Sequence, residues 1–205
     1  LERGLAEIVR RHEVLRTRGE LREGEPVQVI GEEGFAGLER IDLREEEEAE
    51  QEAQRVVNEV GRRPFDLGRE TLLRGVLVRL GEAEQVLVLV MHHIASDGWS
   101  MGVFARELSQ LYEAYVEGRE SPLERLEIQY GDYAEWQREW LSGEVLEEQL
   151  KYWGEQLRGA PAVLELPTDR TRPAVQSFAG GVVTVEIDVE LKEELARLGR
   201  RRGST

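Results

Sequence analysis

The run Val86-Leu87-Val88-Leu89-Val90-Met91 constrains the fold more than any other stretch of this chain. Successive side chains on a strand point to opposite faces, and here both faces are apolar, valines on one and leucines with methionine on the other. Such a strand must be covered on both sides, so Gln85 to His93 is expected as a central strand of a layered domain. Leu72 to Leu80 reads as its partner, joined through Gly81-Glu82-Ala83-Glu84 as a short hairpin loop.

The same strand delivers two of the chain's 3 histidines side by side at its end. Alternation puts His92 on the valine face and His93 on the leucine-methionine face, so only one of them can look into a given cavity. They are expected to do different jobs. Asp97-Gly98 then turns the chain into a helix over Ser100 to Glu117, with Phe104, Leu108, Leu111, Tyr112 and Tyr115 inward, Asp97 or Ser100 as cap and Gly118 as stop.

Elsewhere the order is helices alternating with strands. Leu1 to Arg11 carries Leu1, Leu5, Ile8 and Val9 on a helical stripe that His12 continues, and Val14, Leu15 and Thr17 suit an extended segment. Pro26 to Ile30 and Leu38 to Leu43 read as short strands. Glu45 to Val60 reads as a helix with acid at its positive N-terminal end, stopped by Gly61 and Pro64. Two further helices are expected, one from Tyr133 with Trp136, Trp140 and Leu141 inward, and one over Val145 to Leu157 with Leu146, Leu150 and Trp153 inward. Ala160 to Pro173 is a proline-marked connector, Val182 to Asp188 alternates as a strand, and Asp188 caps a last helix with Leu191, Leu195 and Leu198 inward. The class is α/β or α+β with a mixed sheet.

A net charge of -15 removes general phosphate-backbone binding, which needs a basic surface, so no nucleic acid partner is expected. No apolar run reaches the roughly 18 residues of a membrane span, so no membrane partner is expected either. Absence of cysteine excludes disulfides, thiol nucleophiles and thiolate metal ligands, and is compatible with the cytoplasm as location. The chain opens on Leu1-Glu2-Arg3 without an initiator methionine or leader, and is expected to be part of something longer.

His92, His93 and Asp97 make a poor metal set, since adjacent strand histidines diverge and neither Cys nor a third convenient His completes them. Neither Ser96 nor Ser100 has the flanking glycines of a nucleophile elbow, and Gly180-Gly181 precedes a strand rather than the helix a phosphate loop needs. A lone histidine acting as general base beside a turn-holding Asp remains, and residue chemistry alone weighs it equally with two core histidines.

His-His-x-x-x-Asp-Gly at 92–98 resembles the signature of the condensation domains of nonribosomal peptide synthetases, within the chloramphenicol acetyltransferase-like superfamily. Arg11 to Thr17 (RHEVLRT), Arg63 to Leu67 (RPFDL), Tyr130 to Gln137 (YGDYAEWQ) and Leu164 to Pro173 (LELPTDRTRP) resemble further family motifs in the family's order. Such a domain joins two acyltransferase-like lobes around a tunnel entered by two phosphopantetheine arms, and the resemblance implies that each lobe is an α/β (α+β two-layer) sandwich with a mixed sheet covered by helices. The resemblance implies residues 1–173 as most of the N-terminal lobe and 174–205 as a crossing toward a second lobe. The chain by itself is then expected to have little activity.

The implied reaction is peptide-bond formation between a donor aminoacyl or peptidyl thioester and the amine of an acceptor aminoacyl thioester. Partners would be donor and acceptor peptidyl carrier domains and an adenylation domain, with substrates on phosphopantetheine arms and no tightly bound cofactor or metal. The resemblance places His93 near the attacking amine as base or positioning group, makes His92 structural, pairs Asp97 with Arg16, and offers the Gly98 N–H to the thioester carbonyl. Trp99-Ser100 supports the site and resembles the subtype that takes an L-configured donor. Gly19 departs from the family, which usually has Phe there, so local packing differs. A free-standing acyltransferase and an inactive carrier-docking lobe are the alternatives.

Overall fold

The computed structural model describes residues 1–32, 34–177 and 180–204. The chain divides into two compact units, Leu1–Gln156 and Leu157–Thr205.

In the first unit, helix α1 (Glu2–Arg11) leads through a 3-10 turn (Glu13–Arg16) into the antiparallel pair β1 (Thr17–Arg22) and β2 (Glu25–Ile30). Val14 and Leu15, expected as extended, lie in that turn; Leu15 is buried there, a demand local strand preference does not override. Next come β3 (Leu38–Asp42), α2 (Ala49–Arg62), β4 (Leu73–Arg79) and β5 (Gln85–Met91). Strands β3 and β4 pair in parallel across α2, and β4 and β5 form the expected antiparallel hairpin.

Both faces of this sheet are covered. Val86, Val88 and Val90 pack with Val76, Val78, Leu43 and the Ala53 face of α2, while Leu89 and Met91 pack with Leu5, Ile8, Leu73, Phe104 and Leu111 from the other side. The last group includes helix α3 (Gly98–Val116), which lies against α1. Each fully buried Leu or Val contributes about 1.5–3 kcal/mol. The strand order β3-β4-β5 nevertheless corrects one expectation: β4 is central and β5 pairs with β4 alone among the described residues. Two apolar faces report cover above and below a strand, whereas centrality is decided by backbone pairing in the plane of the sheet, which side chains do not encode.

Helix α2 starts four residues later than its pattern suggests, with the glutamates 45–48 left ahead of it as an acidic approach to its positive end. It runs through Gly61 and stops where Arg63 must be extended before Pro64. In α3, Tyr112 is outward, 51% exposed, while Leu108 and Tyr115 pack against the core partly buried and Glu107 and Ala114 join Phe104 and Leu111 on the buried stripe. Gly118 ends the segment with the positive φ of 72° that glycine tolerates.

Helix α4 (Tyr130–Trp140) begins three residues early, with Asp132 Oδ2 accepting from the Gln129 N–H at 2.8 Å while the Gln129 side chain bonds the Glu13 N–H and the Arg11 carbonyl, and α5 (Gly143–Gln156) follows. Most of their expected inward residues are outward, Trp136, Trp140, Leu150 and Trp153 being more than half exposed, while Leu146 is half-buried. On α4 the rings pack on one another, Trp136 and Trp140 stacking at 5.6 Å and 8°. Helical spacing identifies an apolar face without identifying what lies on it.

The second unit holds an irregular proline-marked stretch and α6 (Val189–Arg202), capped by Asp188 through the Leu191 N–H at 2.8 Å. Residues 182–188 form no strand, Val182 being 95% exposed, because alternation supplies no pairing edge by itself. Leu191, Leu195 and Leu198 are likewise exposed. No helix among the described residues is long and apolar enough to cross a membrane.

Candidate active site

Strand β5 ends at Met91, yet its ladder continues one step, the His92 N–H donating to the Leu72 carbonyl at 3.2 Å. His92 is consumed by structure. Its carbonyl accepts from the Ala95 N–H at 3.0 Å, its Nδ1 accepts from the Ile94 N–H at 3.0 Å, and its ring meets Phe65 edge-on at 5.8 Å.

The His93 side chain takes the other direction. It borders a cavity of about 410 Å³ with His12, Met91, Asp97, Trp99 and Tyr130, a wall to which His92 does not contribute. Its Nδ1 lies 2.6 Å from the Ser96 carbonyl oxygen. A carbonyl only accepts, so Nδ1 carries the proton and a neutral ring keeps its lone pair on Nε2. That nitrogen makes no hydrogen bond among the described residues, which leaves an acceptor for an incoming N–H.

Asp97 caps α3. Its Oδ1 accepts from the Ser100 N–H at 2.8 Å and from the Ser100 hydroxyl at 2.6 Å, and the Asp97 N–H donates to Ser100 Oγ at 3.3 Å. The Ser100 hydroxyl first, then the backbone N–H of Ser100, hold the carboxyl below the usual Asp range, with His93 adding to the effect. A depressed Asp supports the fold above its unfolded value and loses that support as pH falls through the lower folded one. The first turn of α3 is therefore expected to loosen only below about pH 3.8. Hydrogen exchange at the Ser100 amide checks this: loosening already at pH 5 would contradict it.

The expected Arg16–Asp97 ion pair is not formed. Arg16 leaves the 3-10 turn toward the end of β2, donating to the Gly31 carbonyl at 2.7 Å and to Glu13 at 3.3 Å. Asp97 already has its donors at the helix start, so removing Arg16 would strip the β2 end rather than orphan Asp97. Gly98 is the first residue of α3 and does not border the cavity, and a Cβ there would meet nothing within 4 Å. Trp99 does border it and is 85% exposed. His93, Asp97, Trp99 and Ser100 are thus brought together; His92, Gly98 and Arg16 stand outside the cavity wall.

Glu107 is the residue that sequence reasoning passed over. It is the buried charged side chain of the described residues, and it accepts from Arg11 Nε at 3.3 Å and faces His12 Nε2 at 2.7 Å. His12 is itself in the cavity wall. The signal was present: one acid on the apolar stripe of α3 and one histidine on that of α1 are polar residues on faces that must meet.

The family model described as Condensation domain matches residues 1–205. A linear gramicidin synthase protein of Brevibacillus parabrevis is 50% identical over 206 residues, spanning 100% of this chain and 4% of that protein. Among solved structures, the X-domain in complex with OxyB from teicoplanin biosynthesis superposes with a TM-score of 0.85 at 31% identity, over 100% of this chain and 45% of that one. The first condensation domain of the calcium-dependent antibiotic synthetase, in complex with a substrate analogue, gives 0.65 at 27% identity over 78% of this chain and 39% of its own. This chain therefore spans less than half the length of each.

Proposed function

We propose, from the premise that the chain belongs to the condensation-domain family and has its chloramphenicol acetyltransferase-like fold, that it forms part of an enzyme making peptide bonds in nonribosomal peptide synthesis. The observation that carries this reading is the Nδ1–Ser96 contact, which presents an unprotonated Nε2 of His93 at a cavity wall. In the proposed step the amine nitrogen of an acceptor aminoacyl thioester attacks the donor thioester carbon. A C–N bond forms, the C–S bond breaks, and the donor's phosphopantetheine leaves as a thiol. The nitrogen loses one proton, which His93 Nε2 accepts and returns to the departing sulfur. Alternatively His93 acts by orienting the amine, a role the same geometry serves.

Both substrates would arrive on phosphopantetheine arms of peptidyl carrier domains, loaded by an adenylation domain, and the protein would need no tightly held cofactor. Residues 1–173 would belong to the N-terminal lobe and 174–205 to the crossing toward the second. Asp97 and Ser100 would support the site by fixing the start of α3, and the Gly98 N–H, outside the cavity wall, would polarise a donor carbonyl that reaches the start of that helix, its neighbours at Trp99 and Ser100 being turned to the Asp97 carboxylate. Trp99-Ser100 favours an L-configured donor. The test is to supply the complete synthetase with two carrier proteins loaded with different amino acids and to look for the dipeptidyl thioester by mass spectrometry. Only unreacted aminoacyl thioesters would refute the assignment.

A second reading, a lobe that docks carrier or other proteins without chemistry, is favoured by the likeness to an X-domain that forms a complex with OxyB. Under that reading His93 is dispensable.

A further inference from the structure

Beside the His93 cavity lies a smaller one of about 280 Å³. Val14, Ile94 and Tyr130 border both, so the two spaces share one wall. Ile94 and Tyr130 are 62% and 50% exposed, so the shared wall is open to solvent. Leu67 and Leu72 also line it, and the hairpin contributes Gly19 of β1 and Gln28 of β2, directly opposite each other in the register. Arg18 also borders the space, with its guanidinium beside Gly31.

The backbone groups nearby are already used. Gly19 N–H donates to the Leu67 carbonyl at 2.9 Å, and Leu72 N–H donates to the Leu15 carbonyl at 2.8 Å. What remains for an occupant is mainly the aliphatic surface of Val14, Leu67, Leu72 and Ile94, which rewards burial of carbon and offers a charged group little. Gly19 keeps this space open: a Cβ there would approach only the Leu67 carbonyl oxygen, at 4.0 Å, and no side chain extends further.

We propose that this second cavity is a side-chain subsite taking the uncharged, apolar side chain of one aminoacyl substrate while its thioester or amine sits at His93. The inference rests on the peptide-bond reading above. A side chain is one bond from the α-carbon that also carries the reacting amine or carbonyl, so a subsite for it must adjoin the reaction cavity, as this one does. Its size suits a leucyl or phenylalanyl group.

The test fills the subsite in the complete synthetase. Gly19 is not at a positive φ and lies on a strand, where an aromatic residue is well accommodated, so Gly19→Phe places a ring in the space without backbone strain. Peptide formation is measured with leucyl, phenylalanyl and glycyl groups, varied first on the donor carrier and then on the acceptor carrier. On one of the two carriers, Gly19→Phe is expected to lower kcat/KM for the leucyl and phenylalanyl groups about tenfold or more relative to glycyl. Gln28→Trp, entering from the facing strand, should reproduce the loss if Gly19→Phe folds poorly. The arm that responds identifies which substrate the subsite serves. An unchanged side-chain preference in both filling variants, or an equal loss for glycyl, overturns the subsite. A parent enzyme that joins no loaded pair overturns the peptide-bond reading itself, a distinguishable failure.

Discussion

Replacing His93 by alanine in the complete synthetase is expected to slow peptide-bond formation by about a hundredfold or more, since a positioned acid-base group contributes on the order of 10²–10⁴ in rate. The protein should fold unchanged, because His93 is exposed and its side-chain hydrogen bond is a single one to the Ser96 carbonyl. Two companion variants give the result its meaning. His92→Ala removes the Phe65 contact and the acceptor for the Ile94 N–H, so it should act through stability and loosen the turn. His93→Asn retains a polar group at the wall without a base of comparable strength; substantial rescue by Asn would assign His93 to orienting the amine. Full activity in His93→Ala would remove it from the chemistry and favour the docking reading.

Removing Glu107 is the change with the largest expected effect on stability. The Arg11 and Glu107 side chains are each 11% exposed and His12 25%, so Glu107→Ala leaves a poorly solvated guanidinium that keeps the Glu124 carbonyl but has lost its carboxylate. Breaking one side of a buried ion pair costs about 3–5 kcal/mol. For a domain of this size that corresponds to a fall in Tm of about 10 °C, measurable by thermal unfolding. Glu107→Gln should cost less, because the amide oxygen still accepts from Arg11. Pairing Glu107→Leu with Arg11→Met should recover much of the loss, since no charge is then stranded. A Tm shift below about 2 °C for Glu107→Ala would mean that solvent reaches Arg11 freely.

The strand pair Leu73–Arg79 and Gln85–Met91 was legible because a period of two with both faces apolar has few alternatives. So was the divergence of His92 and His93, which survives although regular strand geometry ends one residue before them. The faces of α4 and α5 were not legible: Trp136, Trp140 and Leu150 have helical spacing, but their exposure depends on what packs there, which no local pattern specifies. The Arg16–Asp97 pairing came from family likeness and gave way to a shorter-range competitor. Asp97 followed three residues later by Ser100 is itself a reciprocal cap, and a carboxylate that finds two donors within one helical turn has little left for a distant arginine. Glu107 and His12 were readable as polar residues on apolar stripes, yet which stripe met which required the packing of α3 on α1.

The partner of His93 Nδ1 is a neutral carbonyl and not a carboxylate. A dipole is enough to decide which nitrogen holds the proton, while the nearby Asp97 carboxylate, hydrogen-bonded to Ser100, acts on the His93 ring only through space. In the proposed reaction the imidazolium forms and is consumed within one bond exchange, its proton passing to the sulfur anion leaving the donor. A histidine held this way works as a lender of basicity over a single bond exchange, and it is restored to its starting tautomer as the product departs.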